Sequence, residues 1–140
     1  MEAVELASEA QDNGLAIMMV TMMNQNLADH PERLDILARL RGRISILAED
    51  ANVTLTMHFS NRRAVIYDGI VGIPDVTLRG EFEVIANLAR MEKGHFGLPD
   101  PKGEVNRSLI RAFREGRLKI YGILRGLPLL ARLGALLAVD

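Results

Sequence analysis

The sequence predicts an α+β fold, with five strands in a mostly antiparallel sheet and helices on one face. Three observations carry this. VTLTMHF, residues 53–59, alternates cleanly: Val53, Leu55, Met57 and Phe59 fall on one side, Thr54, Thr56 and His58 on the other. That period of two belongs to a half-buried strand. The strand-like segments then come in a run, with helical patterns grouped around them, which favours α+β over strict βα alternation. Finally, 140 residues without an internal repeat, a low-complexity segment or a long linker fit one domain and one core, 1–140.

The elements follow in chain order. Residues 14–27 are apolar almost all round, the mark of a helix buried on several sides. ADHPERLDILARLRG places Asp29 and Glu32 at capping-box spacing around Pro31 and stops at Gly42, with a stripe of Leu34, Leu37, Ala38 and Leu40. RISILAED (43–50) reads as a strand. After VTLTMHF, the polar pair Ser60-Asn61 reads as a hairpin turn into RRAVIYDG (62–69). Pro74 precedes DVTLRG (75–80), which again alternates, with Val76 and Leu78 together.

EFEVIANLARMEKG (81–94) reads as a helix with Phe82, Ile85, Ala86 and Ala89 in one stripe, widened by Leu88. Its leading acids and its Arg90 and Lys93 suit the helix dipole. FGLPDPKG (96–103) reads as loop, and NRSLIRAFREG as a short basic helix ending at Gly116. RLKIYG (117–122) puts Leu118 and Ile120 on one strand face and Lys119 and Tyr121 on the other. Pro128 sits where a first-turn proline belongs, opening LPLLARLGALLAV.

Composition narrows the function. Seventeen basic against eighteen acidic residues leave no excess for nucleic acid. Hydrophobic residues make up 49% but aromatics only 4%, so the core is aliphatic and rich in methionine. The absence of cysteine removes thiol catalysis and Cys-based zinc sites and fits a cytoplasmic protein. The acidic N-terminal stretch does not read as a signal peptide. The oily stretch 127–139 reaches about 20 Å as a helix, short of the roughly 30 Å hydrocarbon core of a membrane.

No catalytic or cofactor motif emerges. His30, His58 and His95 do not share metal-ligand spacing, and no phosphate loop, dinucleotide fingerprint or nucleophile elbow is present. Arg107, Arg111 and Arg114 share a helix face at i, i+4 and i+7. Such a face is either simply solvated or a patch for anionic lipid headgroups at a membrane surface.

The second half resembles the sterol-carrier-protein type-two family of lipid-binding domains. DVTLRGEFEVIANLARMEKG and SLIRAFREGRLKIYGILRGLPLLARLGALL carry the resemblance. Phe113, Gly116, Arg117, Leu118, Lys119, Ile120 and Gly122 match the family's closing stretch, and Leu124, Leu127, Leu130 and Leu133 continue it. Ile123 stands where that stretch usually carries an acid. The resemblance covers about residues 43–137, leaving 1–42 as a helical extension.

It implies a twisted five-stranded sheet covered by helices, with an apolar tunnel between them. It also implies a non-enzymatic role, without cofactor, in binding, transfer or presentation of a fatty acyl, phospholipid, isoprenoid or sterol ligand. The tunnel wall would then comprise Phe82, Ile85, Leu118, Ile120, Leu129, Leu130, Leu133, Leu136 and Leu137, with Arg107, Arg111 and Arg114 towards headgroups. The same apolar residues equally suit a filled core. An alternative role is an assembly protein that oligomerises through its terminal helices, with a homodimer built on Met18, Met19, Met22 and Met23. Another is a lipid-presenting accessory subunit of a biosynthetic enzyme.

Overall fold

The alternation seen in residues 53–59 extends, through strand register, into one apolar face. The computed structural model describes residues 3–88 and 104–137. Its strands are β1 (Val4–Leu6), β2 (Gly42–Ala48), β3 (Val53–Ser60), β4 (Arg63–Asp68), β5 (Val76–Gly80) and β6 (Leu118–Tyr121). They form one sheet in the order β1-β4-β3-β2-β5-β6. Ile44 lies opposite both Met57 and Val76, Met57 opposite Ile66, Leu6 opposite Ile66, and Leu78 opposite Ile120. One face of all six strands is therefore aliphatic, and Ile44, Met57, Ile66, Val76 and Leu78 on it are buried.

Two expectations are corrected. The sheet has six strands rather than five, and it is mixed rather than mostly antiparallel: β1–β4 and β2–β5 are parallel. The extra strand, β1, is too short for an alternation to register in sequence. It is held from two sides. The Asn24 side chain accepts from the Val4 N–H (3.3 Å) and donates to the Val4 carbonyl (2.9 Å), and Glu5 pairs with Arg63 of β4. The parallel β2–β5 pair arises because residues 69–75 carry the chain from β4 past β3 and β2 without a helix.

That crossover runs over the polar face. Thr56 donates its hydroxyl to the Gly69 carbonyl (2.7 Å) and accepts from the Val71 N–H (3.1 Å), and it lies 3.1 Å from the Ser45 hydroxyl. Ser45 and Thr56 are thereby fully buried.

The helices are α1 (Gly14–Asp29), α2 (Leu34–Arg39), α3 (Phe82–Leu88), α4 (Glu104–Arg114) and α5 (Ile123–Leu137). α1 packs against β1, β4 and β3, α3 against β5 and β2, and α4 against β6 and α3. α5 touches β5, α1 and α2. The N-cap of α1 is Asn13, whose Oδ1 accepts from the Ala16 N–H (3.0 Å). Its amide donates to the Thr54 carbonyl (2.9 Å) and to Asp68 (2.8 Å), tying helix to sheet.

The expected helix across 29–42 is shorter than its pattern suggested. Asp29 ends α1 and accepts from the Gln25 side chain (3.0 Å) instead of capping the next helix. Pro31 drives His30 out of the helical region (φ −132°, ψ 73°), and a 3-10 turn at Pro31–Arg33 precedes α2. Leu37 and Leu40 are buried as expected, but Leu34 is 46% exposed. The expected start of the last helix at Pro128 also moves: α5 begins at Ile123 and Pro128 lies inside it. Gly122 (φ +81°) turns the chain out of β6 early enough for the Gly126 N–H to bond its carbonyl (2.8 Å).

The β3–β4 turn falls one residue later than Ser60-Asn61. Asn61 (φ 52°) and Arg62 (φ 65°) both take left-handed conformations, the geometry of a type I′ hairpin. Arginine is poorly suited there. Arg62→Gly is expected to stabilise the protein by about 0.5–1 kcal/mol, read as a higher urea midpoint with an unchanged slope. The expected helical residues beyond Leu88, with Ala89, Arg90 and Lys93, lie outside the described residues, as do His95 and the loop 96–103.

Candidate functional site

The site follows from how three elements turn their apolar positions onto the sheet. β6 contributes Leu118, buried, and Ile120, partly buried, both on the helix-covered face. α3 contributes Ile85, fully buried, with Val84 beside it. α5 contributes Leu129, Leu133 and Leu136 at helical spacing, all buried, with Leu130 partly buried at their flank. These residues belong to one hydrophobic core, which α5 enters at β5 and follows to α1 and α2.

Phe82 stands apart from that group. It is the first residue of α3 and is 37% exposed, and its N–H donates to the Asp50 carboxylate (2.6 Å). The buried arc of α3 centres between Val84 and Ile85, and Phe82 lies roughly 110° round the helix from it. The Leu137 side chain lies outside the described residues.

Of the methionine group, Met19 and Met23 join Leu15 and Leu27 in a buried stripe at i, i+4, i+8 and i+12 of α1. Met18 and Met22 are partly buried against the same core. In α4, Leu109 and Ala112 turn inward, while Arg107, Arg111 and Arg114 are exposed. Ile110 and Phe113 are exposed too, at 46% and 52%. The sequence named Phe113 only for the family resemblance and did not single out Ile110, although the two repeat one step behind the Leu109–Ala112 spacing that faces the protein.

A second place of interest is a cleft of about 260 Å³ at the start of α1, with Glu9, Asp12, Asn52 and Asp68 on its walls. Its polar lining does not suit an apolar chain. Among the described residues, no cluster of three or more His, Asp or Glu side chains is placed to hold a metal ion. No helix among them is long and apolar enough to cross a membrane.

No protein-family model matches the sequence, and no curated protein is significantly similar to it. Solved structures do match the fold. The UbiJ-SCP2 ubiquinone synthesis protein superposes with a TM-score of 0.63 at 18% identity, over 88% of this chain and 92% of that one. Sterol carrier protein 2 from Yarrowia lipolytica, in its apo form, gives 0.54 at 16% identity, over 94% and 95%. A further sterol carrier protein 2 crystal structure gives 0.50 at 11% identity, over 84% and 88%. Most of each of these chains is matched, so the chain has the fold of sterol carrier protein 2.

Proposed function

We propose that the protein binds a lipid, without catalysis, in an apolar tunnel between its helices and the aliphatic face of the sheet, and that it transfers or presents that lipid. The observation that supports this most is the structural likeness to sterol carrier proteins over most of both chains, combined with the aliphatic core shared by Ile85, Leu118, Ile120, Leu129, Leu130, Leu133 and Leu136. The likeness to a ubiquinone synthesis protein favours presentation to a biosynthetic partner, with an isoprenoid or fatty-acyl ligand.

The energetics suit a carrier. Moving an acyl chain from water into such a site gains about 0.8 kcal/mol per CH₂. Moving it from a bilayer gains almost nothing, because lipid tails already surround it with hydrocarbon. Exchange with a membrane is then reversible.

Native mass spectrometry of protein purified without detergent, followed by solvent extraction, is expected to show one bound lipid per chain. A clean apo mass with no uptake of a fluorescent fatty acid would instead mean that the leucines fill a solid core. A polar variant must be chosen with care. Leu133 is only 2% exposed, and Leu133→Asp would bury an uncompensated carboxylate and unfold the domain. Leu130→Asn, at a partly buried position, is expected to lower uptake while the fold survives.

A further inference from the structure

We infer that α4 is the surface by which the protein docks on an anionic phospholipid bilayer, with Ile110 and Phe113 entering the headgroup region and Arg107, Arg111 and Arg114 holding lipid phosphates. The inference rests on the lipid-carrier reading and deepens it, since it names the surface and the lipid charge that exchange would use.

The helix is divided unevenly. Leu109 and Ala112 fasten it to the protein, being 7% and 1% exposed. Arg107 and Arg114 lie about two turns apart on the far side, with Arg111 on one flank and Ile110, then Phe113, on the other. All five are exposed. An exposed phenylalanine and isoleucine on a helix that already has an apolar face to bury are unexplained by packing.

The charge on this face is mainly basic, with Glu104 at the helix start as its one acid in sequence. From Arg107 to Arg114 the sequence contains no acid, and none of the three arginines makes an ion pair with a described residue. The nearest acid in sequence, Glu115, is engaged by Arg117 (3.3 Å). In a protein of net charge −1 this is a local reversal of sign. Arginines above two exposed apolar side chains match the layering of a bilayer, with phosphates outside and hydrocarbon beneath. A single aromatic ring does not make a stacking platform for nucleic acid.

Position adds a third argument. α4 packs on β6 and on α3, the elements that supply Leu118, Ile120 and Ile85. Docking through α4 brings the bilayer beside the proposed lipid site, not to the far end of the sheet.

The absence of tryptophan gives a clean reporter. Phe113→Trp emission is expected to shift to the blue on vesicles of phosphatidylcholine with one third phosphatidylglycerol, and to stay unmoved on phosphatidylcholine alone. Co-sedimentation of the wild-type chain should follow the same pattern and weaken in high salt. The combined Arg107→Gln, Arg111→Gln and Arg114→Gln variant is expected to bind about 100-fold more weakly, at about fivefold per arginine. Ile110→Ser with Phe113→Ser should also lose binding while keeping the wild-type melting temperature, because both side chains are exposed.

An unmoved Phe113→Trp emission, or wild-type vesicle binding in the arginine variant, overturns the inference. So does binding to single-stranded DNA without binding to anionic vesicles. Lipid occupancy by native mass spectrometry separates the two readings. A lipid-loaded protein that ignores anionic vesicles removes only the docking surface. A protein that docks through α4 but never holds lipid removes only the carrier.

Discussion

Gly122→Ala is expected to destabilise the protein by about 2–4 kcal/mol, seen as a large fall in the urea midpoint. Two effects combine. Gly122 has φ +81°, a region in which alanine is strained. A Cβ there would also lie 2.3 Å from the Asp75 carbonyl oxygen. That oxygen cannot step aside, because Asp75 is fixed to β2 by its N–H to the Arg43 carbonyl and by its carboxylate to the Arg43 N–H, each 2.8 Å. Gly116→Ala is the internal control. It has a similar φ of +78° but open space around it, so it should lose only the conformational part, about 1–2 kcal/mol. The difference between the variants measures the close approach of the β6–α5 corner to β5. That corner sets the direction in which α5 carries Leu129, Leu133 and Leu136 into the core, so lipid uptake is expected to fall with stability in Gly122→Ala and to persist in Gly116→Ala.

Thr56→Val is expected to cost about 2–4 kcal/mol although it preserves shape and volume. The Thr56 hydroxyl serves the Gly69 carbonyl, the Val71 N–H and the Ser45 hydroxyl at once, on a residue with no exposed surface. A methyl in its place takes a partner from the buried Ser45 hydroxyl and from the part-buried bonds to the Gly69 carbonyl and the Val71 N–H. Hydrogen exchange locates the effect. The Val71 amide should lose protection first, and the 69–75 crossover should open more readily than the β2–β3 hairpin. Uniform loss of protection across the sheet would show that the crossover is not a separate unit.

Thr56 also shows why part of the fold was hidden. Alternation placed it on the polar face, and it is there, but only the crossover makes that face an interior. The path of 69–75 depends on long-range partners that no local pattern encodes. The same holds for β1, whose strand identity comes from Asn24 and from pairing with β4, and for Arg33, buried at 2% with its guanidinium near the Leu136 carbonyl (3.4 Å). Conversely, the strands β2 to β6 were legible because their side chains divide between an aliphatic and a polar side. Of the candidate site, the shared strand face of Leu118 and Ile120 was readable from alternation, whereas Leu129, Leu133 and Leu136 were named through the family resemblance. Phe82 was not, because one residue at a helix start does not show which way the helix rolls. The exposed pair on α4 was not either, since exposure of an apolar residue is set by what packs over it.

The two ends of the sheet have a bearing on how the protein behaves at high concentration. The outermost strands, β1 and β6, are its shortest, spanning only Val4–Leu6 and Leu118–Tyr121. Open sheet edges are templates on which further chains can add and grow into fibrils. Here the longer strands are all interior, and each rim offers only a brief run of free backbone donors and acceptors. Lys119 further disfavours stacking of identical rims through like charge. A protein with an aliphatic core and few aromatics is thereby guarded against edge-to-edge polymerisation by the brevity of its border strands.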